Sequence, residues 1–120
     1  MSYVLVIDDE KHICWLVEEA LTAAGYRVKT AIRWQEGLRM AAGKPPALVL
    51  LDLKLPGADG IDLPKEIGRL APGAPIIIMS GEAGTYADPS RFAGCLVKPF
   101  NLEDLRRLVQ RTVPFLPERP

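Results

Sequence analysis

Several things are scarce in this chain of 120 residues, and each scarcity removes a class of function. There is no excess of either charge, since 15 Lys and Arg face 15 Asp and Glu, so nothing draws the chain generally to nucleic acid. No apolar run approaches the ~20 residues that a membrane-spanning helix needs. The start, Met1-Ser2-Tyr3-Val4, runs directly into an apolar stretch and lacks the basic-then-apolar form of a secretory leader. The two cysteines, Cys14 and Cys95, have no short metal-type spacing and read as buried or partly buried thiols in a reducing compartment. No repeat and no second domain is visible. What remains is one soluble cytoplasmic domain, whose 48% apolar residues suffice for one core.

What the chain has is alternation. Tyr3–Ile7, Ala47–Leu51, Ile76–Met79 and Cys95–Val97 are short continuous apolar runs, the form of strands buried on both faces of a parallel sheet. Tyr26–Ala31 alternates in polarity and reads as an edge strand. Between them lie helical patterns over Glu10–Ala24, Trp34–Ala42, Leu63–Leu70 and Leu102–Val113. On the first, Ile13, Leu16, Val17, Ala20, Leu21 and Ala24 share one face. Gly25 closes that helix, Pro64 is tolerable in the first turn of the third, and Asn101 is placed to cap the last. Gly84, Pro89 and Gly94 break up the stretch Gly81–Gly94, so any helix there is short or irregular. Five β-α units with right-handed crossovers give an α/β, doubly wound parallel sheet. Residues 1–113 form the domain, and 114–120 form a proline-rich tail or the start of a linker.

The polar residues that end the strands carry the functional signal. Asp8, Asp9, Asp52, Ser80 and Lys98 fall at the carboxyl ends of strands one, three, four and five, where open α/β sheets gather their functional groups. Crowded carboxylates repel one another unless a cation or raised pKa values relieve them, and Mg²⁺ suits oxygen ligands. Asp52 has the chemistry of a nucleophile that can form an aspartyl phosphate. Lys98 can pair with one phosphoryl oxygen and the Ser80 hydroxyl can donate to another. Pro99 suggests a cis bond after Lys98. Each residue alone has a plainer reading. The acids can be turn or helix-capping residues, Ser80 can belong to a turn with Gly81, and Lys98 can be a solvated strand end. The joint placement makes coincidence a poor explanation.

This ordered set resembles the receiver domain of two-component response regulators. The resemblance spans nearly the whole chain and rests on Asp8-Asp9, Leu51-Asp52-Leu-Lys-Leu-Pro-Gly-Ala-Asp-Gly60, Met79-Ser80-Gly81 and Leu96-Val-Lys98-Pro99-Phe100. It implies a flavodoxin-like (βα)5 fold with strand order 2-1-3-4-5, an order for which a receiver is itself one of the standard examples. It implies a phosphoacceptor of a two-component or phosphorelay system, rather than an enzyme with a substrate of its own. Asp52 would take the phosphoryl group from a sensor histidine kinase or a histidine phosphotransfer protein. Asp8, Asp9, Asp52 and the Lys54 carbonyl would hold Mg²⁺, Ser80 would be the switch hydroxyl, and Lys98 would pair with the phosphoryl group. The chain departs from the family at Cys95, where an aromatic residue or histidine is usual. The Ser80–Lys98 segment is also shorter by about four residues, roughly one helical turn. Trp34 stands where a small residue is common and reads as surface packing.

Partner docking is expected on His12, Ile13, Trp15 and Leu16 together with Pro99 and Phe100, with no direct contact to nucleic acid or membrane. Trp15 lies off the apolar face, and an exposed aromatic makes a good anchor. A monomer satisfies all of these readings. Lys54 and Glu82 would flank the path of an attacking water, where the Lys54 stem would shield the phosphoryl group. A haloacid-dehalogenase-like phosphatase would need an acid two residues after its nucleophile, where Lys54 stands. A flavodoxin-like flavin-binding module would need a first loop that accepts phosphate, which Asp8-Asp9-Glu10 would repel.

Overall fold

The computed structural model describes residues 2–81 and 91–114. Within them the order is β1 (Val4–Ile7), α1 (Lys11–Ala23), β2 (Val28–Ala31), α2 (Trp34–Gly43), β3 (Leu48–Asp52), α3 (Leu63–Leu70), β4 (Ile76–Ser80), β5 (Gly94–Val97) and α4 (Leu102–Thr112). The strands form one parallel sheet in the order β2-β1-β3-β4-β5. This is the doubly wound arrangement expected from the alternation. Most of the stretch expected to be irregular, from Glu82 to Ser90, lies outside the described residues.

Strand periodicity divides the core in two. Val4, Val6, Leu48, Leu50, Ile77 and Met79 face α1 and α4, meeting Val17, Leu21, Leu105 and Val109. Leu5, Ile7, Val49, Leu51, Ile76 and Ile78 face the other way, onto Ala41 of α2 and Leu63 and Ile67 of α3. Each fully buried aliphatic side chain contributes about 1.5–3 kcal/mol relative to exposure. Both faces are therefore covered along the central strands, which is why they read as unbroken apolar runs.

Local chemistry fixes the helix starts. Asn101 caps α4 by accepting the Asp104 N–H at 2.7 Å, as its position suggested. Asp62 does the same for α3 with Lys65 N at 3.0 Å, and Pro64 sits in the first turn. One boundary and one helix face differ from expectation. β2 begins at Val28 rather than Tyr26, because Tyr26 N still donates to Leu21 O and belongs to the end of α1. On α1, Cys14 is buried beside Val17 and Leu21, while Leu16 is only half-buried.

β5 corrects a larger expectation. Its apolar run suggested burial on both faces, yet Val97 is 41% exposed and Cys95 half-buried. The reason is position, since among the described residues β5 is an edge strand with only β4 beside it.

Candidate phosphoacceptor site

The sheet register brings four strand ends together. Ile7 pairs with Leu51 across β1 and β3, so Asp8 and Asp52 follow side by side. Asp52 is opposite Met79 on β4, and Ser80 opposite Val97 on β5. Lys98 N donates to Ser80 O at 2.6 Å, which extends the ladder one step beyond β5 and holds the lysine backbone at the same end. The Lys98–Pro99 peptide is cis.

Asp8 is fully buried, and Asp52 and Ser80 nearly so. One oxygen of each acid is held by its own following turn. Asp8 Oδ1 accepts the Glu10 N–H at 2.9 Å, and Asp52 Oδ1 accepts the Lys54 N–H at 3.0 Å. The other oxygens face Lys98, whose Nζ is 2.7 Å from Asp8 Oδ2, 2.8 Å from Glu10 Oε1 and 3.5 Å from Asp52 Oδ2. The Asp8–Lys98 contact is a close ion pair, so the ammonium answers the charge on buried Oδ2. Cys14 Sγ donates to the Asp8 carbonyl at 3.3 Å, tying the start of α1 beneath the site.

The electrostatics follow from this crowding. Burial pushes the Asp8 pKa up; Lys98 opposes the shift and the Asp52 charge reinforces it. Burial alone would lower the Lys98 pKa, but the Asp8 and Glu10 carboxylates beside it, with the Asp52 charge, carry it above its ordinary value. Glu10 is held below its ordinary value by Lys98. The ammonium thus stands as an internal counter-ion among acids that would otherwise repel one another.

Carboxylate oxygens of Asp8, Glu10 and Asp52 lie within 4.8 Å of one another, close enough to hold a metal ion. The donors are all carboxylate oxygens, which fits a hard cation. Asp9 is exposed and is not in this group. Glu10 lies in the group, and the sequence had marked it only as part of an acidic turn. The available signal was a third consecutive acid at the N-cap of α1.

The docking candidates are spread around this end. His12, Trp15 and Pro99 are exposed, with Trp15 at 60%, while Ile13, Leu16 and Phe100 are half-buried. Ile13 and Phe100 pack against the core cluster under α1 and α4. Lys54 is exposed and begins the loop after β3. Trp34 is not simple surface packing, because its ring packs on the α2–α3 side of the core.

The model of the response regulator receiver domain matches residues 4–110. The chain belongs to this family. As a receiver it is 34% identical over 120 residues to the DNA-binding transcriptional regulator NtrC of Escherichia coli (strain K12), covering 97% of this chain and 26% of that protein. It therefore spans about a quarter of the length of the curated relatives it matches first. Among solved structures, the Vibrio cholerae chemotaxis protein CheY4 gives a TM-score of 0.81 at 30% identity, over 94% of this chain and 99% of the other. The Thermotoga maritima response regulator TrrA, solved in complex with Mg²⁺-BeF, gives 0.82 at 30% identity, over 94% and 100%. The receiver is a phosphoacceptor module of two-component systems, with a flavodoxin-like fold. Among the described residues no helix is long and apolar enough to cross a membrane.

Proposed function

We propose that Asp52 is the phosphoacceptor of this receiver and that it takes its phosphoryl group from phosphohistidine on a sensor histidine kinase or a histidine phosphotransfer protein. The observation that carries this is the Lys98 ammonium within 3.5 Å of both buried carboxylates, Asp8 and Asp52, where a phosphoryl oxygen would find its counter-charge. In the transfer an Asp52 oxygen attacks phosphorus. The P–N bond breaks, and the imidazole nitrogen leaves with the electron pair and is protonated. Lys98 neutralises one phosphoryl oxygen and the Ser80 hydroxyl donates to another.

Asp8, Asp9, Asp52 and the Lys54 carbonyl would hold Mg²⁺, with Glu10 within reach of the same cation. The Mg²⁺-BeF complex of TrrA supports the choice of metal for this family. When bound, the ion offsets the negative charge that builds as an anionic donor approaches the acids. Asp9 reaches the site only by turning in from solvent. Docking of the donor falls to His12, Ile13, Trp15, Leu16, Pro99 and Phe100, which border the crevice from α1 and from the turn after β5. Residues 1–113 act as the receiver unit in the cytoplasm, and 114–120 serve as a proline-rich tail or the start of a linker, of which 115–120 lie outside the described residues. Beyond its own phosphorylation and dephosphorylation the unit has no catalytic role.

Incubation with acetyl phosphate tests this directly. The intact mass should rise by one phosphoryl group with Mg²⁺, not with a chelator, and not for Asp52→Asn. A normal phosphorylated yield from Asp52→Asn would refute the assignment.

A further inference from the structure

Two buried side-chain polar atoms lack a hydrogen-bond partner among the described residues, Asp8 Oδ2 and Trp34 Nε1. The first has the Lys98 charge beside it. The second has nothing, although buried polar groups nearly always find a partner. Trp34 opens α2 and packs on the same core cluster as Leu55, in the loop that follows Asp52. The indole nitrogen looks across at Gly57 in that loop, where an added Cβ would lie 3.8 Å from it. Gly57 has φ of 78°, so the loop backbone there takes a conformation that favours glycine.

The same loop is tied to the phosphoacceptor. Asp52 Oδ1 accepts the Lys54 N–H, so the start of the loop is tied to the side chain that the proposed cation engages. A cation that drew on Oδ1 would weaken this bond and free the loop at its start. A hollow of about 380 Å³ between the start of α2 and Leu55 and Pro56 leaves room for it to move towards the indole.

We propose that Trp34 is a positioning residue for the phosphoacceptor loop, and that its indole N–H gains a backbone carbonyl of residues 55–60 once Asp52 engages its cation. The unpartnered donor belongs to the resting state, and the bond it makes stabilises the loaded one. This rests on the reading of Asp52 as a cation ligand.

The test uses the whole chain with ¹⁵N-labelled indoles, titrated with Mg²⁺ and beryllofluoride. The Trp34 N–H signal should move downfield and exchange more slowly with solvent, while that of the exposed Trp15 keeps the exchange rate of an open indole. Mg²⁺ affinity with beryllofluoride, measured by calorimetry, should fall about three- to tenfold in Trp34→Phe, the scale of one lost hydrogen bond. A merely packing role would leave the wild-type N–H signal unmoved. Mg²⁺ binding with a silent Trp34 overturns this inference alone, as does equal affinity in Trp34→Phe. No Mg²⁺ binding by the wild type overturns it together with the metal reading. The resonance experiment needs no substitution, so it decides even if the variant folds poorly.

Discussion

The central strands and the edge strands of this sheet do different work. β1, β3 and β4 are buried along their whole lengths, and each leads into a buried polar residue, Asp8, Asp52 or Ser80. β2 and β5 have a neighbour on one side only and carry exposed residues such as Lys29 and Val97. The proposed acceptor groups thus sit on the most buried strands, where desolvation strengthens the charge interactions around them. The counter-charge comes from the edge, on a lysine with four carbons of reach.

The largest way to break this contrast is in the core. Leu50→Ala in β3 is expected to cost about 3 kcal/mol of unfolding free energy, while Val97→Ala in β5 costs less than about 1 kcal/mol, both read by denaturant titration. Lys98→Ala comes next. It strips three carboxylates of their shared partner and is expected to cost about 2 kcal/mol without metal, less than a fully buried pair because water reaches part of the lysine. Mg²⁺ should restore part of that loss in a melting experiment.

Asp8→Asn is expected to act in the opposite direction. Burial first, then the Asp52 charge, holds the Asp8 pKa above its ordinary value. Ionising it therefore costs stability above that raised pKa, and the cost fades as the pH falls towards the ordinary carboxylate range. In chelator at neutral pH the variant should melt higher than wild type and gain less on acidification. A lower midpoint would mean that the Lys98 contact outweighs the crowding. The smallest stability effect is expected from Trp15→Ala, within about 0.5 kcal/mol. Phosphotransfer from a histidine donor should slow in this variant while acetyl phosphate labelling stays intact. Equal loss of both would count against docking on α1.

The central strands were legible in the sequence because burial on both faces leaves no choice but continuous apolar residues. Their polar ends were legible for the same reason, since Asp8 and Asp52 interrupt runs that have no other reason to stop. The edge was harder to read. Cys95-Leu-Val97 is as apolar as a short central run, and only its place in the strand order exposes Val97. The choice between Asp9 and Glu10 was hidden too. Residue type says nothing about which of two neighbouring acids turns towards Lys98, and the backbone of the β1–α1 turn decides it. Trp34 was noticed as unusual, but its place facing Gly57 depends on how α2 and the loop after β3 pack together.

The most direct measurement is chemical mapping of the phosphorylated residue. Borohydride reduces an aspartyl phosphate to homoserine, and peptide mass spectrometry then locates it. After reaction with acetyl phosphate and Mg²⁺, homoserine should appear at position 52 and at no other acid. Homoserine at position 8 or 9, or none at position 52 in protein whose intact mass shows phosphorylation, would contradict the account.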